Sequence, residues 1–301
     1  MEKKNNWPGG FYSLHPALAF GYFVFLFAAA MMLKHPAYLL TLLLVVTAVA
    51  WFQGGARGLI RPLPYYVLLA LVILIANPLI TSRGRTILFY FRDLPVTLES
   101  IAYGAMLAVS LLTVLIAFIG YNAVITPGRF LYLFARVAPR SAFVITVAMR
   151  FVPLLKRRMK EIIQVQQSQG YFHYKKKKWL QAKEAMDTLH TLVSWSLEEA
   201  LQTGISMRSR GYGLGKRSYA VVYRMERRDK LALWWLGVTG VATIVGAAAG
   251  LGRYSVYPKL LPPDFSNLTV MHYVGFVGFV LTPVVMDARE VLRWRNIRSN
   301  M

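Results

Sequence analysis

Cysteine is absent from the 301 residues, so disulfides, thiolate metal sites and cysteine nucleophiles are all excluded. Acidic residues are scarce, with 13 Asp and Glu against 35 Lys and Arg, which leaves a formal charge of +22. Neither a paired set of carboxylates nor a nucleophile beside a base can be assembled from what remains, and so no catalytic constellation is found. The five histidines, His15, His35, His173, His190 and His272, have no ligand spacing and read as structural or interfacial residues. No cofactor is expected.

What the chain has in abundance is apolar length. Hydrophobic residues make up 56% and charged residues only 16%, against roughly 45–50% and 25% in soluble domains. The charges cluster between long uncharged stretches, at Leu14 to Leu33, Ala37 to Phe52, Leu63 to Ile80, Ile101 to Ile125, Leu231 to Leu251 and Leu268 to Met286. About 20 apolar residues cross a bilayer core, so the reading is an all-α polytopic membrane protein with about six transmembrane helices. The second stretch is the short one, and it is expected either to be tilted little or to reach into Gln53 and its flanks. The first lacks a cleavage pattern of small residues and is expected to stay uncleaved.

Lys and Arg are retained on the cytoplasmic side, and an arrangement with both termini inside keeps 29 of the 35 there. The other six are Lys34, Arg83, Arg85, Arg92, Arg253 and Lys259. Arg83, Arg85 and Arg92 fit least well. Two accounts of them are open, snorkelling to headgroups or a partly buried hairpin over Thr81 to Ser100. Glu99 and Asp287 fall at span ends, where water reaches them, and not at the depth of a proton relay.

Residues 126–230 carry 21 Lys or Arg against 7 acids without a complete span, so they read as a cytoplasmic module between N-terminal (1–125) and C-terminal (231–301) membrane regions. After a short helix that opens at Pro127, Pro139 starts a long helical pattern to Gln169, stopped by Gly170. A second runs from about Trp179 to Arg210, with Ala182, Ala185, Met186, Leu189, Leu192, Val193, Leu197, Ala200, Leu201 and Ile205 recurring at three and four residues. That spacing makes an amphipathic helix, and Gly211 is a suitable stop. The apolar faces are expected to rest on the membrane helices or on each other, with the tips projecting toward something soluble. The run Lys175 to Lys178 beside them suits anionic lipid headgroups better than nucleic acid.

The second helix ends in Ser206-Met207-Arg208-Ser209-Arg210-Gly211-Tyr212-Gly213. On composition alone, Arg208 and Arg210 could be cations that cap the helix dipole. Over nearly its whole length, however, the chain resembles the transmembrane T component of energy-coupling factor transporters, the EcfT/CbiQ-like subunits of prokaryotic vitamin and metal uptake systems. In that family two coupling helices end in a small-Arg-Gly triplet, which Ser209-Arg210-Gly211 matches, Met207 and Tyr212 suiting the flanks. At the first triplet, after Gln166 and Gln167, this chain reads Ser168-Gln169-Gly170 and lacks the arginine.

The resemblance implies a non-catalytic, multi-pass subunit of the prokaryotic inner membrane. Its two triplets would dock into two ABC-type ATPases, whose movement it would pass to a membrane substrate-binding (S) subunit. A guanidinium offers a fork of donors to a carboxylate and keeps its charge at working pH. Gln169 can form only neutral contacts, so the two dockings are expected to be unequal. Ala56-Arg57-Gly58 repeats the triplet without a preceding amphipathic helix, and topology accounts for Arg57. Gly211 to Ser218 is no phosphate loop, since Arg210 and Arg217 stand where Gly and Ser or Thr are required.

Two rivals are weaker. A membrane transferase acting on an anionic lipid or polyprenyl phosphate would need acids for a divalent metal. A secondary transporter would show inverted repeats. The small residues Gly237, Gly240, Gly246, Gly250, Gly275 and Gly278 are expected to permit close helix packing.

Overall fold

The computed structural model describes residues 10–81, 84–91, 94–170, 178–215, 223–252, 254–256 and 266–299. Lys175, Lys176, Lys177 and His173, which figure in the sequence reading, lie outside them, as do Arg83, Arg92, Arg253 and Lys259. Nine α-helices and one two-stranded hairpin are formed among the described residues. The chain divides into two compact units, residues 131–222 and the remainder.

The larger unit holds the membrane helices α1 (Pro16–Met32), α2 (Pro36–Ile60), α3 (Leu63–Ile80), α4 (Leu98–Val124), α8 (Arg227–Ala248) and α9 (Asn267–Ser299). Five segments are long and apolar enough to cross a bilayer, Pro36–Gln53, Gly55–Ile80, Leu98–Val124, Arg227–Ala248 and Asn267–Arg293. The short one proves to be α1, with 17 residues, or about 26 Å at 1.5 Å per residue. The second stretch is completed instead by Pro36 and Gln53. It ends at Gly55, whose φ of 71° and ψ of 164° break α2. Such a backbone is open to glycine at little cost and closed to most other residues.

Helices α1 and α2 begin with one device used twice. In His15-Pro16 and His35-Pro36 the proline opens the helix, where its missing N–H is no loss, and the histidine Nδ1 accepts from the backbone N–H two residues on, at 3.2 and 3.3 Å. These histidines therefore have a structural role. The core gathers around α1 and the N-terminal half of α2, where Phe11, Tyr22, Phe23, Tyr38, Phe276 and Val280 are all nearly inaccessible. Tyr22 donates from its hydroxyl to the Val280 carbonyl (2.9 Å), joining α1 to α9.

Lipid tails are as apolar as leucine, so helices in a bilayer associate through close approach and internal hydrogen bonds. The glycines of α8 and α9 divide on this point. A Cβ at Gly240 would stand 3.3 Å from Phe279, one at Gly278 3.4 Å from Trp235, and one at Gly246 only 2.1 Å from the His272 ring. Gly237 and Gly275 face open space, and Gly250, at φ 91°, terminates α8. His272 is itself fixed at both nitrogens, by the Tyr38 hydroxyl at Nδ1 (2.7 Å) and the Thr243 carbonyl at Nε2 (3.1 Å). It thereby ties α2, α8 and α9 together.

Of the two accounts of the Thr81 to Ser100 segment, the structure takes the hairpin. Strand β1 (Ile87–Phe91) pairs antiparallel with β2 (Leu94–Thr97), with Phe89 opposite Val96 and a bulge between Ile87 and Phe89. Its base corrects the reading of Glu99, which is buried, with 1% of its surface exposed, and not open to water. The Glu99 carboxylate accepts from the Thr86 hydroxyl (2.7 Å) and from the backbone N–H groups of Thr86 (3.2 Å) and Arg85 (3.3 Å). Three donors converge on one acceptor, which is how a buried carboxylate is made tolerable.

Glu99→Ala would leave those donors unanswered, at about 1–3 kcal/mol. The expected result is faster tryptic cleavage after Arg85, with Glu99→Gln, which keeps an acceptor, in between. Equal cleavage in the unchanged protein and both variants would show that Glu99 does not hold the base of the hairpin.

Asp287, the other acid placed in water, is half-buried at the end of the bundle where the chain begins. It accepts from Phe11 N–H (2.7 Å) and Gln53 (3.3 Å), while Arg228 donates to the Gly10 carbonyl (3.2 Å). The acid thus fastens the first turn, Gly10–Ser13, to α2 and α9, and Arg228 fastens it to α8.

Candidate functional site

The smaller unit is dominated by α6 (Pro139–Ser168) and α7 (Lys178–Ser209), preceded by the short α5 (Pro127–Ala135). Both long helices run as the sequence predicts. Pro139 at the first helical position opens α6. Each ends where a glycine turns to positive φ, at 85° for Gly170 and 78° for Gly211.

The two ends are built alike. Ser168 Oγ donates to the Val165 carbonyl (2.7 Å) and Ser209 Oγ to that of Ser206 (2.9 Å). Gly170 N–H bonds the Gln167 carbonyl and Gly211 N–H that of Arg208, at 3.1 and 3.0 Å. At α7 the turn is completed by Tyr212 N–H to the Met207 carbonyl (3.0 Å), which makes it a Schellman motif. Ser168-Gln169-Gly170 and Ser209-Arg210-Gly211 therefore occupy equivalent positions, and they differ in the charge of the middle residue. The side chains of Ser168, Gln169, Arg208, Ser209 and Arg210 are all exposed.

The two triplets are not brought together. Phe143 stacks on Tyr212 (centroids 5.0 Å), the Arg158 guanidinium lies 4.6 Å over the Trp195 ring, and Thr188 donates to Gln166 Oε1 at 2.7 Å. One antiparallel register satisfies all three contacts, so the triplets fall at opposite ends of the pair. Helix α6 has 30 residues, or about 45 Å, which puts the two ends roughly 40 Å apart.

The seam between the helices departs from expectation. Its most buried residues on α7 are Glu184 and Thr188, with Leu192, Trp195 and Thr203 half-buried. The apolar stripe of Met186, Leu189, Val193, Leu197, Leu201 and Ile205 is exposed instead, between 44% and 70%. It is therefore not covered by α6. Sequence reasoning missed the Phe143–Tyr212 and Arg158–Trp195 contacts. The spacing of those side chains within each helix offers no sign of a partner on the other. Glu198 and Arg208 are exposed, whereas Glu199 is half-buried and lines an open groove with Arg150 and Arg157.

Among the described residues, no group of three His, Cys, Asp or Glu could hold a metal ion. The family model for CbiQ, described as a cobalt transport protein, matches residues 13–219. The chain belongs to the CbiQ family. No curated protein matches it. Membership makes this CbiQ-family chain a transmembrane transport component that works within a multi-subunit transporter. The matched range covers α1 to α7 together with both triplets, and leaves α8 and α9 outside it.

Proposed function

We propose that this chain is the coupling subunit of an energy-coupling-factor importer. Two ABC-type ATPases engage it, one at Ser168-Gln169-Gly170 and the other at Arg208-Ser209-Arg210-Gly211. Their ATP-driven movement passes to a membrane substrate-binding subunit that captures a vitamin or metal ion. The chain performs no chemistry of its own. It sits in the prokaryotic inner membrane with both termini cytoplasmic, a placement supported by the distribution of Lys and Arg.

The observation that carries this reading is the matched pair of exposed helix ends at the two extremes of the α6/α7 pair. A single soluble partner of ordinary size would not need two backbone turns that share the same serine and glycine bonds roughly 40 Å apart, whereas two copies of one kind of partner would. The exposed stripe from Met186 to Ile205 supports the membrane partner, because an apolar face of this length calls for an apolar cover.

Since the chain has no native cysteine, Ser168→Cys and Ser209→Cys each introduce a unique thiol. In membranes that contain the whole transporter, a reagent that joins a thiol to a lysine amine is expected to link either variant to an ATPase, and the double variant to two. Crosslinks from both positions to the membrane partner alone would overturn the proposal.

A further inference from the structure

Strand β1 is unusual for a strand outside a protein core, because its exposed side chains are apolar on both faces. Ile87, Leu88, Phe89 and Tyr90 are 47%, 51%, 54% and 67% exposed. A hairpin in water alternates apolar and polar residues, one face packed and one wet. Here β2 takes the packed role, with Val96 and Thr97 almost fully buried, and β1 is left as an outer edge strand. Exposed apolar edges invite aggregation and are normally blunted or covered.

The position of the hairpin indicates the cover. It springs from the end of α3 and leads into α4, two spanning helices, so its base is held at the end of the hydrocarbon layer. The Ile80 side chain that closes α3 is 81% exposed. The apolar surface thus continues from the lipid-facing side of α3 onto β1. Arg85 is exposed two residues before the strand, and it can lift its charge to the headgroups while its stem stays below. Aromatic residues next to basic ones are the usual composition of a membrane–water interface. An open strand edge is excluded from the hydrocarbon interior, where its N–H and C=O groups would find no partners, but at headgroup depth water supplies them.

We infer that β1 is a lipid anchor: Ile87, Leu88, Phe89 and Tyr90 enter the acyl chains at the boundary of one leaflet while the strand edge and Arg85 remain at the headgroups. The anchor rests on the reading of α3 and α4 as membrane spans. It predicts lipid contact, and not a protein partner, on this surface.

The test uses the full chain in vesicles of phosphatidylcholine and phosphatidylglycerol, with one nitroxide label per protein on an introduced cysteine. Leu68→Cys on α3 serves as the hydrocarbon reference and Leu214→Cys as the water reference. At Phe89→Cys and Tyr90→Cys, collisions with dissolved oxygen are expected to exceed those with a water-soluble nickel chelate, as at position 68 and opposite to 214. Dominance of the nickel chelate at 89 and 90 would put the strand in water and overturn the anchor. Low collision rates with both reagents would show a protein cover and overturn it equally. If position 68 itself behaved as aqueous, the membrane reading would fail first.

Discussion

Arg210→Glu is expected to abolish ATP-driven uptake while the membrane fold stays intact. The Arg210 side chain is exposed, and its part in the local fold is played by its backbone N–H, which donates to the Ser206 carbonyl at 3.2 Å. An acid at a helix C-terminus costs only about 0.3–1 kcal/mol against the macrodipole. At a docking face the loss is larger. One charge-assisted contact is worth about 1.5–3 kcal/mol, or roughly ten- to a hundredfold in affinity, and the reversed charge adds repulsion. Co-purification with the ATPases and uptake in proteoliposomes measure the two consequences separately. Gln169→Arg gives the opposite sense, since it restores to the first triplet the charge that the second already has. Docking should be retained or tightened. Normal complex and normal uptake after Arg210→Glu would count against the coupling role.

The largest stability effect is expected at Gly246. Its Cβ would fall 2.1 Å from His272 Cδ2 and 2.5 Å from Nε2, and the imidazole cannot turn aside without giving up Tyr38 and Thr243 together. Overpacking costs about 1–3 kcal/mol, and each buried hydrogen bond lost adds about 1 kcal/mol. Gly246→Ala should thus destabilise the bundle by about 3–5 kcal/mol, read as a lowered thermal midpoint in detergent. The double variant Gly246→Ala/His272→Ala has no ring to displace and should lose less than the sum of the two single changes. Additive losses would mean that the contact does not govern α8–α9 packing.

Much of this architecture is legible in the chain. Spans follow from apolar length, the ends of α6 and α7 from Gly170 and Gly211, and the equivalence of the two triplets from Ser-Gln-Gly and Ser-Arg-Gly. What escaped was tertiary in origin. Ile87 to Phe91 is an unbroken apolar run with neither alternation nor a two-residue turn signal. A hairpin is one of the two accounts the sequence leaves open for this segment, and the pairing with Leu94 to Thr97 decides for it. Glu99 looked like a solvated end residue because the donors that surround it, at Arg85 and Thr86, come from beyond its own helix. The seam between α6 and α7 was the least visible, since a helical wheel assigns the apolar stripe to the interior and here Glu184 and Thr188 are enclosed in its place.

That seam has a mechanical consequence. Interlocked apolar cores resist relative motion because every displacement opens voids, but the hydrogen bond of Thr188 to Gln166 and the perch of Arg158 on Trp195 can be exchanged for water at modest cost. Two stiff helices held by such exchangeable contacts can therefore slide or tilt against each other at less cost than two helices that share an interlocked apolar core.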